Sequence, residues 1–168
     1  QGAHILAAFL YWQTLESATS APASRIQFRG YGVLGAQQLG SDIGFTDSGV
    51  LRTYRANVLP YLPVTLQGLS DTPVAVSMPA GWANGSRHAI GAGLVVVYRV
   101  LSNAVPLKAI VLYDGSWVPP GGPGAMNQDI KGFYEATPGS DGAATAIVNT
   151  GTGWEQQTML NLSLSGSD

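Results

Sequence analysis

Two continuous apolar runs separated by a short polar break most constrain the fold of this 168-residue chain. Residues 93–100 read GLVVVYRV and residues 107–113 read LKAIVLY, which is the length and composition of strands covered on both faces. The break between them contains Ser102, Asn103 and Pro106, which favour a turn over one long helix. The pattern therefore predicts a buried β-hairpin at the centre of the molecule.

Strand-length segments recur along the rest of the chain. Residues 3–12 are apolar on both alternation sets, which predicts a central strand. Residues 35–49 are polar and interrupted by glycine, so we expect a long surface excursion there. Alternation predicts a strand at residues 25–29 with Ile26 and Phe28 inward. It predicts another at residues 51–58, with one face formed by Tyr54, Ala56 and Val58 and the other by Thr53, Arg55 and Asn57. Further short strands are predicted at residues 64–69, 74–78, 130–137, 143–149 and 156–165.

The chain thus contains about ten predicted strands, no convincing helix, and turn residues between nearly all strands. This pattern is typical of a β-sandwich or a jelly roll. No linker and no internal repeat interrupts it. We therefore expect an all-β, sandwich-like or jelly-roll-like fold in a single domain spanning residues 1–168.

The composition favours an exported protein that associates with copies of itself. Charged residues make up 11% of the chain, against a usual share of roughly 25%. A net charge of −2 offers no electrostatic footprint for nucleic acid, and no basic amphipathic or membrane-spanning segment is visible. The absence of cysteine excludes disulfides and thiolate metal sites. The chain opens at Gln1, which we expect of a processed or excised extracellular or cell-surface chain.

Several loop aspartates could gather around a calcium ion, which prefers oxygen ligands. Their neighbours are Gly, Ser and Asn, whose turns expose carbonyl groups. The alternative is that each aspartate only forms a turn, and we favour it because no EF-hand or Asp-x-Asp run is present. We expect no other cofactor. The calcium candidates are Asp42, Asp47, Asp114 and Asp141, with Asp129 in a similar setting.

Aromatic residues in Gly-rich loops raise the question of carbohydrate binding, because exposed indole rings stack on sugars. The alternative is that each ring closes one end of the fold. The candidates are Trp82, Trp117, Trp154 and Tyr31. Two Asn-x-Ser sequons, at Asn84 and Asn161, are candidate glycosylation sites in an exported chain, although such triplets also arise by chance.

Catalysis is not indicated by the sequence. A hydrolase triad would have to use His4 or His88, the only two histidines, and no Gly-x-Ser-x-Gly elbow accompanies them. A packed or edge position is the favoured explanation for His4, and His88 lies at the boundary between a loop and a strand, beside Arg87. We therefore expect a protein without enzymatic activity.

The end of the chain is the most suggestive segment. Leu160, Leu162 and Leu164 alternate with polar residues and so form one apolar face. An ordinary half-buried last strand is the favoured explanation. The sharper hypothesis is a strand lent to a neighbouring subunit, a role that the apolar first strand could also play.

The order of motifs resembles an uncharacterised β-sandwich module of secreted and cell-surface proteins of bacteria and archaea. The matching segments are residues 2–12, 91–98, 106–115 and 130–133, which cover about half of the chain in patches. The resemblance implies an extracellular structural or adhesive module and carries over no catalytic residue. The resulting hypothesis is a non-catalytic, self-assembling subunit of a surface fibre, layer or adhesin. The alternative is a carbohydrate-binding module that uses loop tryptophans.

Overall fold

The computed structural model describes residues 3–44, 49–70, 74–78, 87–102 and 110–116, which all belong to one compact unit, Gln1–Ser116. The described part is mostly strand, arranged in two antiparallel sheets, so its β-rich class agrees with the prediction. The strands are β1 (His4–Ser17), β2 (Gln27–Phe28), β3 (Tyr31–Gly32), β4 (Gln37–Gly44), β5 (Gly49–Asn57), β6 (Val76–Ser77) and β7 (Arg87–Arg99). A 3-10 turn at Leu59–Tyr61 and the short helix α1 (Gln67–Ser70) follow β5.

The larger sheet has the strand order β4-β5-β1-β7, so the predicted central position of the first strand is confirmed. β1 pairs antiparallel with β5 on one side and with β7 on the other. Two bulges interrupt the β1–β7 ladder, where Leu6 and Ile90 are the extra residues. The first bulge turns Leu6 towards solvent and leaves it 50% exposed, despite its place in an apolar strand.

The smaller sheet has the order β3-β2-β6. A two-residue turn joins β2 to β3, and both of its residues, Arg29 and Gly30, have positive φ angles of 53° and 82°. Such a turn matches the right-handed twist of a hairpin, and glycine at its second position avoids the steric cost that a side chain would meet. The turn presents Tyr31 at the surface of this sheet.

The core lies on one face of the larger sheet. Side chains of β1 and β5 that share this face, including Leu10, Trp12 and Tyr54, are almost completely buried. Ile26 and Phe28 from the β2 region join the same cluster. The rings of Trp12 and Tyr54, directly opposite each other in the ladder, stack with centroids 5.4 Å apart. Ile26 and Phe28 are buried, so their predicted inward orientation is confirmed. The face predicted to be shared by Tyr54, Ala56 and Val58 is buried as well.

The predicted central hairpin was wrong in its described part. β7, which contains the first apolar run, pairs with β1. Residues 110–113 of the second run are not in a strand and are between 43% and 60% exposed. No residue of the first run is fully buried either, since residues 93–100 are half-buried or exposed. An apolar run does not specify a partner, and β1 offers β7 a ladder along almost its whole length.

Two local assignments were also wrong. Residues 37–44 form β4 and not a surface excursion, because main-chain pairing with β5 suffices for an edge strand of poor strand formers. Residues 64–69 are not a strand, because Leu66 and Leu69 have the spacing of one helical turn and both pack against the core. The short strand predicted within residues 74–78 is present as β6.

Candidate functional site

β7 is an edge strand, and its side away from β1 has no partner among the described residues. Residues 89–98 of this strand contain neither charge nor proline. Natural sheets usually protect an edge with Lys, Pro, short length or an inward-pointing charge, and this strand has only its bulge at Ile90. Near its end, Tyr98 is 52% exposed. The edge therefore presents unpaired main-chain groups and apolar side chains to an incoming strand.

A cleft of about 210 Å³ separates β6 from the first half of β7. β6 and β7 are the end strands of the two sheets, so the cleft lies where neither sheet continues in the described structure. Its β7 wall consists of Ala89, Ile90, Gly91 and Ala92, and its other wall of Ile26 and Val76–Met78. The small residues on β7 leave this space open, and the described residues that line it carry no charged group.

A buried carboxylate stands at the far end of β1. The side chain of Glu16 is fully buried, and its Oε1 atom accepts hydrogen bonds from Thr14 (2.6 Å) and Tyr54 (3.1 Å). The main-chain N–H of Ala23 donates to both carboxylate oxygens at 3.2 Å, and Arg52 donates to Oε2 at 2.8 Å. These donors occupy the oxygen lone pairs, so Glu16 serves to anchor the turn after β1 and does not face a ligand.

Arg52 connects Glu16 to a second carboxylate. Its Nε and NH2 atoms donate to the two oxygens of Asp42 at 3.0 and 2.6 Å, a bidentate geometry. A bulge in β4 brings Asp42 to Arg52. Between the paired positions Leu39 and Ile43, β4 has three residues where β5 has one, so β4 has two extra residues. Gly40 sits in this bulge with φ +71°.

The network shifts the titration of its members. Hydrogen bonds from Arg52, and then from Gln38, lower the pKa of Asp42. The hydrogen bond to Asp42 raises the pKa of the Arg52 guanidinium, against the opposing effect of burial. Burial raises the pKa of Tyr54, and the charge of Glu16 raises it further. All three shifts keep the network in its ion-paired form at neutral pH.

A second charged cluster lies on the opposite face of the sheet. Tyr11 and Arg55 are neighbours across the β1–β5 ladder, and both donate to Asp114 Oδ2, the tyrosine at 2.9 Å. Arg55 also donates to Gln37 and lies 5.4 Å from the centroid of the Phe9 ring. Burial raises the pKa of Tyr11, and Asp114 raises it further. These contacts fasten residues 110–116 to the sheet.

An exposed aromatic pair projects from the smaller sheet. Tyr31, which is 58% exposed, stacks on Tyr61 with ring centroids 5.6 Å apart. The Tyr61 hydroxyl donates to the carbonyl of Gly32, and Arg29 donates to the Tyr61 carbonyl. Leu34 nearby in sequence is 80% exposed. The exposed Tyr31 ring of this stacked pair is of the kind on which sugar rings stack.

Of the calcium candidates, the structure places Asp42 and Asp114 beside guanidinium groups on opposite faces of β5. It brings no three His, Asp or Glu side chains together within its described residues. Asp47, Asp129 and Asp141 lie outside the described part, so the calcium prediction stays a prediction for them.

The two histidines stand at opposite ends of the β1–β7 ladder, where His4 pairs with Arg99 and His88 pairs with Leu15. Eleven residues of strand separate positions 4 and 15, which is about 36 Å at 3.3 Å per residue. They cannot belong to one site within this sheet.

No helix in the described part is long and apolar enough to cross a membrane.

The remaining candidates lie outside the described residues. They are the tryptophans Trp82, Trp117 and Trp154, the sequon residues Asn84 and Asn161, and the leucines Leu160, Leu162 and Leu164.

Sequence reasoning missed the buried ion pair, although the sequence carries a signal for it. Glu16 continues the inward alternation of Leu10 and Trp12, and Arg52 precedes Tyr54 by two residues. A charged residue in phase with a buried set on each of two strands predicts that the two charges meet.

No protein-family model, curated protein sequence or solved structure matches this chain. The resemblance drawn from its motifs therefore stays an expectation.

Proposed function

We propose that this chain is a non-catalytic β-sandwich subunit of an extracellular or cell-surface fibre, layer or adhesin, and that it associates with copies of itself. The edge of β7 carries this proposal, because ten consecutive uncharged residues of this strand have no described partner on the side away from β1. An added strand gains main-chain hydrogen bonds along such an edge. The low charge of the whole chain also weakens repulsion between copies.

Exposed apolar side chains near this edge also support the edge of β7 as the surface for self-association. Leu6, Tyr98 and Leu101 are each about half exposed, and they lie at or just beyond the end of the β1–β7 ladder. Exposed apolar surface on a folded protein is typical of an interaction site where it is extensive. A strand paired with the outer edge of β7 would lie next to Tyr98 as well as to the main chain.

Sedimentation of the full chain, with electron microscopy of the same sample, tests the proposal. We expect the unmodified protein to form oligomers or filaments, and Gly91→Lys to dissociate them. A side chain at Gly91 meets no atom within 4 Å, so the substitution adds a charge at the edge without a clash. Gly115→Lys is the matched control, because it has the same open surroundings outside the strand. A monomeric unmodified protein, or equal behaviour of the two variants, would overturn the proposal.

A carbohydrate-binding module is the second candidate, and the exposed stack of Tyr31 on Tyr61 favours it. Binding to immobilised glycans should then fall on Tyr31→Ala but not on Tyr98→Ala, which removes another half-exposed tyrosine. Parallel alanine variants of Trp82 and Trp117 test the loop tryptophans. Absence of binding to any glycan in the unmodified chain would exclude this alternative.

A further inference from the structure

The cleft between β6 and β7 has the geometry of a gap left by a strand. Its first wall belongs to the end strand β7, its second is formed by the end strand β6 with the adjacent Met78 and Ile26, and Val76 and Ala92 are both exposed at the gap. Its volume of about 210 Å³ exceeds the 150 Å³ or so in which a buried cavity holds a benzene molecule. Aliphatic side chains entering from outside could therefore fill it.

A matching segment is present near the end of the chain. In an extended conformation, Leu160, Leu162 and Leu164 would fall on one face at intervals of about 6.6 Å. The four β7 residues that line the cleft, residues 89–92, span about 10 Å, so two of the three leucines would fit beside them. Residues 158–167 carry no charge, and neither do the described residues that line the cleft.

We propose that the cleft between β6 and β7 accepts residues 160–164 of a second copy of this chain, whose leucines fill the cleft while its main chain pairs with an open strand edge. The inference rests on the proposed self-assembly and names its acceptor site. One acceptor and one donor on every copy make a head-to-tail contact, which produces rings or open filaments.

Cysteine cross-linking tests the contact directly, because the chain has no cysteine of its own. Full-length chains carrying Val76→Cys are mixed with chains carrying Leu162→Cys, and mixed disulfide dimers are quantified after oxidation. The control replaces the first partner with Leu34→Cys, which is more exposed than Val76 and lies away from the cleft. We expect the mixed dimer with Val76→Cys and little with the control.

Matched substitutions test the two sides of the contact. Leu162→Asp should abolish association, whereas Ser163→Asp, with the same charge on the polar face, should preserve it. Ala92→Phe fills the cleft and should weaken association roughly tenfold or more, which corresponds to about 1.4 kcal/mol. Ala75→Phe makes the same change at an exposed residue that does not line the cleft, and should leave association unchanged.

The outcomes separate this inference from the function on which it rests. Oligomers that form normally, with equal cross-linking at Val76 and Leu34, would refute the cleft contact and leave self-assembly standing. A chain carrying both Val76→Cys and Leu162→Cys that closes an internal disulfide and stays monomeric would show that its own segment fills the cleft, which overturns the proposal. Monomers throughout would refute both.

Discussion

Removing the guanidinium of Arg52 is the sharpest test of how the larger sheet is held together. Arg52→Met keeps a long apolar side chain on β5 but deletes the donor to Glu16, whose side chain is fully buried. The Glu16 carboxylate then stays in the interior without a counter-charge. Its hydrogen bonds from Thr14, Tyr54 and Ala23 remain, so the missing charge is the main change at Glu16. The bidentate contact with Asp42, whose side chain is 40% exposed, and the hydrogen bond to the Ser20 carbonyl are lost as well.

The burial of the pair sets the expected magnitude. Breaking a buried ion pair by removing one partner costs about 3–5 kcal/mol of unfolding free energy. Arg55→Met, three residues along the same strand, provides the matched control. It breaks the ion pair with Asp114, in which the Arg55 side chain is 31% exposed and the Asp114 side chain 21% exposed. Ion pairs that solvent reaches contribute about 1 kcal/mol or less.

Urea and thermal unfolding followed by circular dichroism measure the difference. For a domain of this size we expect Arg52→Met to lower the Tm by about 6–20 °C and Arg55→Met by a few degrees. Adding Glu16→Gln to Arg52→Met should restore part of the loss, because the neutral amide removes the unpaired charge. Equal losses for the two arginine variants, or no restoration by the second change, would refute the reasoning.

Three further changes test titration and backbone geometry. The pKa of Asp42 is lowered in the folded state. Ionised Asp42 therefore stabilises the fold above about pH 4, and this stabilisation is lost as the pH falls through the folded-state pKa. Asp42→Asn should flatten the acid limb of a curve of unfolding free energy against pH. The pKa of Tyr54 is raised in the folded state. The neutral hydroxyl therefore stabilises the fold below about pH 10, and this stabilisation is lost as the pH rises above that value. Tyr54→Phe should flatten the alkaline limb of the same curve. Gly40→Ala should cost about 1–2 kcal/mol in urea unfolding, since φ is +71° and the new Cβ would lie 2.6 Å from Ser116 Oγ, whereas Gly44→Ala, with open space, should cost less. Unchanged limbs, or equal costs for the two glycine variants, would contradict these expectations.

The sequence predicted the elements in which alternation and apolar content agree. The first strand and the inward faces at Phe28 and Tyr54 were correct, because burial on one face imposes a period of two. Element type was less predictable where the main chain determines pairing. β4 contains Gly40, Ser41 and Asp42, and pairing with β5 stabilises it despite these residues.

Pairing partners were the main failure. The apolar run at residues 110–113 is as strand-like as β7, yet it is exposed, and Asp114 and Ser116 anchor the residues that follow it. Those anchors are contacts between residues more than seventy positions apart. A pattern of local periodicity contains no information on them. For the ion pair between Glu16 and Arg52, periodicity places each charge on a buried face but does not give the register that brings the two together.

The two edges of the larger sheet differ in a way that bears on assembly. β4 has a bulge with two extra residues, a glycine with positive φ, and a charged side chain at Asp42. In addition, the Ser116 hydroxyl donates a hydrogen bond to the main-chain carbonyl of Leu39 in β4. Each of these devices discourages a further strand. β7 has ten residues with no charge, and all three described ion pairs lie elsewhere. Because only one edge is protected, strand addition would extend the sheet in one direction. Gly91→Lys gives β7 a charged side chain at its edge, as Asp42 gives one to β4.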